Sequence, residues 1–282
     1  MILKENELLE RYTTMRIGGY TPRMYIPESE AELIETISHF NTRQEKYYLL
    51  GNGSNVLITD KILSRPVILN TKSCDYINFQ ANGMVEVGAS VDLRKLIKQL
   101  AENNLTSPVA LYTIPATLGG AIFQNASRNS FKVSIGDNLV SVRYFDGEKI
   151  GIINQQDCQF RWRYSIFRDR PNWTILSAVF QFEPQSKAVT QAKLRESLNA
   201  AANKSYRQYS SAGSVFKTKS QPIMQYFQGW RLGNAEFSDT TLNTIHNLGG
   251  AKFRDVMGLI WLTKLAHWLR LKKVELEIDI WQ

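Results

Sequence analysis

Ser214 and Lys217 stand three residues apart in SAGSVFK (211–217). A Ser-x-x-Lys pair can serve as a nucleophile and its base in acyl transfer. The same serine can instead be a proton donor or an ordinary turn residue, and spacing alone leaves the three readings open. The companions of the acyl-transfer reading are missing, because the chain has no Ser-Asp-Asn and no Lys-Thr-Gly. Two glycine-rich segments could hold a ligand. In GNGSN (51–55), Gly51 and Gly53 let backbone N–H groups crowd around an anion, and Ser54 and Asn55 add side-chain donors. It is not a G-x-G-x-x-G dinucleotide fingerprint: Val56 takes the place of the third glycine, and VLI reads as a strand rather than the start of a helix. In IPATLGGAIFQNA (114–126), Gly119 and Gly120 permit close backbone approach between apolar residues that could wall a flat ring. Either loop alone reads equally well as a tight connection. Two of them, on either side of a strand–helix unit, are more telling.

Metal and disulfide chemistry find little support. Cys74 and Cys158 lie far apart, without a nearby Cys or His at metal-ligand spacing, and read as buried or free thiols. His39, His246 and His267 are scattered and read as packing or surface residues.

The elements that must position these residues follow from pattern. The chain has 282 residues, 43% apolar and 21% charged, enough for two or three cores. No stretch approaches the ~20 apolar residues of a membrane span. MILKENELLE carries acids where a signal peptide would be apolar, so a cytoplasmic protein is expected. The net charge of +8 comes without a dense basic run, which suits small phosphorylated ligands or a solubility surface. Neither a nucleic-acid nor a membrane partner is expected, and a monomer is favoured. ESEAELIETISHF (28–40) reads as a helix with Ser29 and Glu32 as a capping box and Leu33, Ile37 and Phe40 on one face. VDLRKLIKQLAENN reads as a second helix, with Leu93, Leu96, Ile97 and Leu100 in register. MVEVGAS, LVSVRYFDG and ILSAVFQFE read as strands, and FRDVMGLIWLTKLAHWLRL as a helix with Phe253, Val256, Met257 and Ile260 as a core stripe. The polar EPQSKAVTQ (183–191) reads as a junction, and VELEIDIW as a terminal strand-like alternation. The expected division is 1–70, 71–185 and 186–270, with 271–282 packing back on the first region.

At this point YTTMRIGG (12–19), LGNGSNVLI (50–58), IPATLGGAIFQNA, FRWRYSIF (160–167), SAGSVFK, GWRLGNAEFS (229–238), GGAKFRDVMGLI (249–260) and ELEIDI (275–280) can be taken together. Their combination and order resemble the UDP-N-acetylenolpyruvoylglucosamine reductases of peptidoglycan precursor synthesis, in the shorter of two subtypes. The resemblance implies an α+β protein: a two-subdomain FAD-binding fold of the vanillyl-alcohol-oxidase (PCMH) type, then a C-terminal α+β substrate domain. It implies FAD bound through Gly51, Asn52, Gly53, Ser54 and Asn55, and through Ile114, Pro115, Ala116, Thr117, Gly119, Gly120, Asn125 and Ala126. NADPH would reduce the flavin, and the enolpyruvyl double bond of the UDP-sugar would then be reduced to UDP-N-acetylmuramate. Hydride addition leaves charge beside the substrate carboxylate, which needs a stabilising partner and a proton. By resemblance, Arg163 is the fork on the carboxylate, Glu277 the carboxyl that polarises the enolate, and Ser214 the proton donor.

The pattern departs from the family in four places. Thr113 and Ala116 stand where the family has G-I-P-G, and Ser127 and Ser130 where it has a glycine-rich turn. Thr241 stands at a usual histidine, and the stretch between Lys217 and GWRLG is short. The alternative these departures leave open is a paralogue with another substrate or little turnover.

Overall fold

The hydroxyl of Ser29 accepts from the Glu32 N–H at 3.3 Å and starts helix α1 (Glu30–Thr42). The reciprocal half of the capping box is shifted by one residue, with the Glu32 carboxylate accepting from the Glu28 N–H at 2.7 Å and meeting the N-terminal ammonium. Leu33, Ile37 and Phe40 form the buried face. The computed structural model describes residues 1–202 and 209–282, and the chain divides into two units interleaved in sequence. The first comprises Met1–Leu3, Tyr25–Asn52 and Val67–Ala201, and the second Lys4–Met24, Gly53–Pro66 and Ala202–Gln282.

The first unit is built on a five-stranded antiparallel sheet in the order Ile150–Asn154, Leu139–Phe145, Thr174–Gln181, Met84–Gly88, Ile77–Phe79. Val142 faces Ala178, which faces Val87, and all three are buried. On this face lie α2 (Leu93–Glu102), capped by Asp92, and α3 (Leu118–Phe123), capped by Thr117. Leu93, Leu96, Ile97, Leu100, Leu118 and Ile122 complete that core. Leu176 and Phe145 turn the other way, into a cluster with Leu33, Ile37 and Phe40 of α1. Burial on both faces explains why this strand reads as an apolar run rather than a polar–apolar alternation. Glu30 ties α1 to the sheet through a paired contact with the Arg143 guanidinium, one arm at 2.8 Å. A parallel pair, Tyr48–Leu50 with Val67–Leu69, brings the chain to Gly51.

The stretch read as a junction departs from expectation. Residues 183–186 are extended, with Pro184 bridged to Leu105, but α4 (Lys187–Ala202) starts within the stretch. Its buried positions include Thr190 and Ser197, so the inward face is masked by polar residue types. Thr190 accepts from Gln185 Nε2 at 2.7 Å, which meets the need of that buried hydroxyl.

The second unit holds α5 (Gln221–Tyr226), α6 (Phe253–Leu269) and a three-stranded antiparallel sheet, Arg231–Leu232, Ala235–Phe237, Ile245–Asn247. The inward stripe of α6 is Val256, Leu259, Ile260, Thr263 and His267, with Phe253 and Met257 packed at its margin. The His267 ring is fully buried. Its Nδ1 faces the Thr263 carbonyl at 2.8 Å and its Nε2 accepts from the Ser220 N–H at 3.0 Å, so the proton sits on Nδ1. The terminal alternation is not one strand. Glu275–Leu276 pairs antiparallel with Phe216–Thr218, and Asp279–Trp281 pairs parallel with Val56–Ile58. The chain changes partner at Glu277 and Ile278.

Candidate active site

That change of partner positions Glu277. Its N–H donates to the Val215 carbonyl at 2.8 Å, and its own carbonyl accepts from Asn55 Nδ2 at 3.0 Å. Glu277 is 9% exposed. Ser214, one residue before Val215, is half-buried and bridged to Thr244. The second unit therefore brings two of the sequence-predicted residues, Ser214 and Glu277, onto neighbouring extended segments. Gly213 just before the serine has a φ of +71° and open space at its Cβ position, so the chain turns freely into it.

The segment that presents Ser214 is held by amides. Asn243 accepts from the Phe216 N–H at 3.0 Å and donates to the Phe216 carbonyl at 2.8 Å, standing in for a paired strand. The Asn243 carbonyl also accepts from the Val215 N–H at 2.8 Å. Thr14 ties the same region to the glycine loop: its N–H donates to the Gly53 carbonyl at 3.0 Å and its hydroxyl to the Ser211 carbonyl at 2.8 Å. Gly53 has a φ of +60°, and a Cβ there would stand 2.0 Å from the Tyr12 carbonyl, so no side chain fits. Lys217 reaches Glu275 at 3.7 Å.

In the first unit the rest of the glycine loop meets the second glycine-rich segment. A Cβ on Gly51 would lie 2.5 Å from Thr117 Oγ1, and one on Gly119 would lie 3.2 Å from the Ala89 Cβ. The N–H groups of Leu118 and Gly119 donate to the Val91 and Ala89 carbonyls, and the Ala116 carbonyl accepts from Leu93, which ties this segment to the chain that follows strand Met84–Gly88. Asn52 Nδ2 donates to Asp92 Oδ2 at 3.0 Å. Asn125 adopts a left-handed φ of +45° and donates Nδ2 to the Arg161 carbonyl at 3.1 Å. Ala126 is buried behind it, its carbonyl accepting from Ile135. Arg163 lies in the turn closed by reciprocal backbone bonds between Arg161 and Tyr164. Its own φ is +54°, a conformation costing about 1–2 kcal/mol for a residue with a Cβ. Trp162 stacks against its guanidinium at 4.7 Å, and Ser165 anchors the turn to the Phe123 carbonyl at 2.8 Å.

The sequence profile of the FAD binding domain family matches residues 22–149. A UDP-N-acetylenolpyruvoylglucosamine reductase of Fervidobacterium nodosum is 31% identical, over 98% of this chain and 91% of its own length. One from Prochlorococcus marinus is 32% identical over 91% of this chain and 89% of its own. The chain belongs to the UDP-N-acetylenolpyruvoylglucosamine reductase family. The crystal structure of the family member from Thermus caldophilus superposes over 100% of both chains, with a TM-score of 0.81 and 26% identity. The fold is accordingly the α+β FAD-binding fold expected from the reductase resemblance, and FAD is the cofactor.

The residues of the first unit fit that group. Asn125 Oδ1 and Ser127 Oγ are buried without a hydrogen-bond partner within the protein. Such atoms call for a ligand with its own donors and acceptors. Ser127 was not singled out for flavin binding from sequence; the visible signal was its place in a departure from the family's glycine-rich turn. Arg128, next to Ser127, donates to Thr113 Oγ1 at 3.2 Å and to Ser197 Oγ at 3.4 Å, which links the two altered stretches. Thr241, at the usual histidine, keeps a buried hydroxyl without a partner. Cys74 and Cys158 are free and buried, and burial pushes their thiols up to about 11 and about 12. Both are inert at neutral pH. Among the described residues no helix is long and apolar enough to cross a membrane.

Proposed function

We propose that this chain reduces UDP-N-acetylenolpyruvoylglucosamine to UDP-N-acetylmuramate in peptidoglycan precursor synthesis, with NADPH as the electron source. The observation that carries the reading is the bond between the Glu277 N–H and the Val215 carbonyl, which sets a buried carboxyl beside the serine segment. Bound FAD supplies hydride. The chain's own residues supply binding, orientation and the proton.

In this reading the backbone N–H groups of Gly51–Asn55 cradle pyrophosphate, with Ser54 and Asn55 adding side-chain donors, while Asn52 Nδ2 reaches Asp92 and Asn55 Nδ2 the Glu277 carbonyl. Ile114–Thr117, Gly119, Gly120, Asn125 and Ala126 wall the flavin ring. Arg163, presented by a strained turn, forks onto the substrate carboxylate. Glu277, protonated or closely paired, helps polarise the developing enolate. Ser214 Oγ then delivers its proton to the carbon beside the carboxylate. A hydroxyl is a weak acid in water, but the carbanion-like acceptor is far more basic. The region 186–270, in this reading, carries most of the sugar-nucleotide contacts.

The test is NADPH oxidation by the purified protein with and without the enolpyruvyl sugar nucleotide, with the product weighed by mass spectrometry. Substrate-dependent oxidation with a gain of two hydrogens supports the reading. Oxidation that ignores the sugar nucleotide would sink it.

A further inference from the structure

The segment around α6 is locally basic. Residues 252–273 contain Lys252, Arg254, Lys264, Arg270, Lys272 and Lys273 against a single acid, Asp255; Lys273 pairs with Glu275 at 2.7 Å and Arg254 lies 3.8 Å from Asp255, which leaves Lys252, Lys264, Arg270 and Lys272 as the basic set. Asp255 is itself buried, accepting from the Lys252 N–H at 2.9 Å. The inward stripe of α6 is fully engaged in the core. Its outward stripe carries Trp261 and Trp268, seven residues apart and therefore on one face, at 61% and 70% exposure. Leu269 and Leu271 follow at 67% and 92%, and Lys264 lies between the two indoles on the exposed side. Arg270 rests 5.2 Å from the ring of Tyr226, which is also exposed.

Contiguous exposed aromatic and aliphatic side chains mark an interaction surface. We infer that this stripe docks the protein onto an anionic phospholipid surface, with the indoles at headgroup depth and the Lys and Arg side chains against the phosphates. Trp with flanking Lys and Arg is the side-chain set that settles at a membrane interface, and clustered basic residues are drawn to anionic lipid. A second copy of this chain would bring the same positive charge to the same face and be repelled. Side chains this exposed stand out from the surface rather than line a groove. They suit a yielding acceptor better than a folded acidic protein, which would need a matching cleft. The expectation of no membrane partner rests on the lack of a spanning apolar stretch, which does not register a stripe gathered on one face of α6.

The test is co-sedimentation of the FAD-loaded protein with vesicles of phosphatidylcholine alone and of phosphatidylcholine mixed with phosphatidylglycerol. Retention on the anionic vesicles only, falling as salt rises, is expected. The Trp261→Ala/Trp268→Ala variant should bind about tenfold more weakly or less, with flavin content and melting temperature unchanged. Lys264→Glu/Lys272→Glu, which leaves both indoles in place, should weaken binding likewise. Equal retention on neutral vesicles, no retention on either, or full retention in both variants would overturn the proposal. Absence of vesicle binding together with Trp-dependent dimerisation would assign the stripe to a second copy. Absence of vesicle binding with salt-sensitive capture by polyglutamate would assign it to an acidic protein.

Discussion

The two units hold their function-bearing residues by different means. In the first, Gly51, Thr117, Asn125 and the Arg163 turn stand on elements anchored in apolar core: α2 and α3 press Leu96, Leu100, Leu118 and Ile122 against the sheet. In the second, the Ser214 segment is held by side-chain amides. Asn243 grips both polar groups of Phe216, and Asn55 holds the carbonyl of Glu277. Asn247 accepts from Gly249 and Ala251 while donating to the Met15 and Arg16 carbonyls. Apolar packing tolerates small shifts and is restored by volume. An amide fixes direction and leaves buried groups unsatisfied when lost. A segment that must aim a side chain needs direction more than a wall does, which is the lesson of the difference.

The largest expected effect falls on the second unit. Ser214→Ala should slow oxidation of the reduced flavin by the enolpyruvyl substrate by ~10²–10⁴-fold, the range of a lost general acid, while reduction by NADPH is unchanged. Cysteine at this position should restore part of the rate, because a thiol is the stronger acid. Stopped-flow absorbance separates the two half-reactions, and equal damage to both would remove Ser214 from its role. Next, Leu96→Ala should cost about 2–5 kcal/mol in denaturant unfolding, with little change in either half-reaction once the protein is folded. Asn243→Ala should cost less stability, about 1–3 kcal/mol, yet slow the substrate half-reaction, because the Ser214 segment loses its brace. If Leu96→Ala slows that step more than Asn243→Ala does, the contrast between the units fails.

The smallest effect is a pH dependence. His246 is 1% exposed against Tyr209, and burial lowers its proton affinity below the ordinary 6.5, opposed by Glu236 and Asp239. The unfolded chain therefore binds the proton first as pH falls through 6.5. Stability is constant above that value and declines below it, by at most about 1.4 kcal/mol per pH unit. His246→Phe should flatten the acid side of the profile in chemical denaturation. A slope unchanged in the variant would assign the decline to other groups.

Much of the first unit was legible in the sequence because its signals are local. The cap of α1 and the stripes of α1 and α2 recur at the period of a helix, and MVEVG and LVSVRYF are strands as read. Where polar residues face inward, as Thr190 and Ser197 do on α4, the period disappears from hydropathy and the stretch reads as a junction. VELEIDIW reads as one strand since alternation carries no record of partner, and the partner changes inside it. The glycine loops were found by composition. The grip of Asn243 on Phe216 joins residues 27 apart and leaves no trace in spacing, nor does the brace between Arg128 and Thr113. The roles of Ser214, Arg163 and Glu277 came from resemblance and stand as proposals.

One measurement bears on these roles most directly. The FAD-loaded protein is reduced with one equivalent of NADPH in the absence of oxygen, then mixed with UDP-N-acetylenolpyruvoylglucosamine while the flavin absorbance is followed. The account predicts full return of the oxidised flavin spectrum in wild type, and its delay in Ser214→Ala with the amplitude retained. A flavin that stays reduced beside the enolpyruvyl sugar nucleotide in the wild-type protein would contradict it.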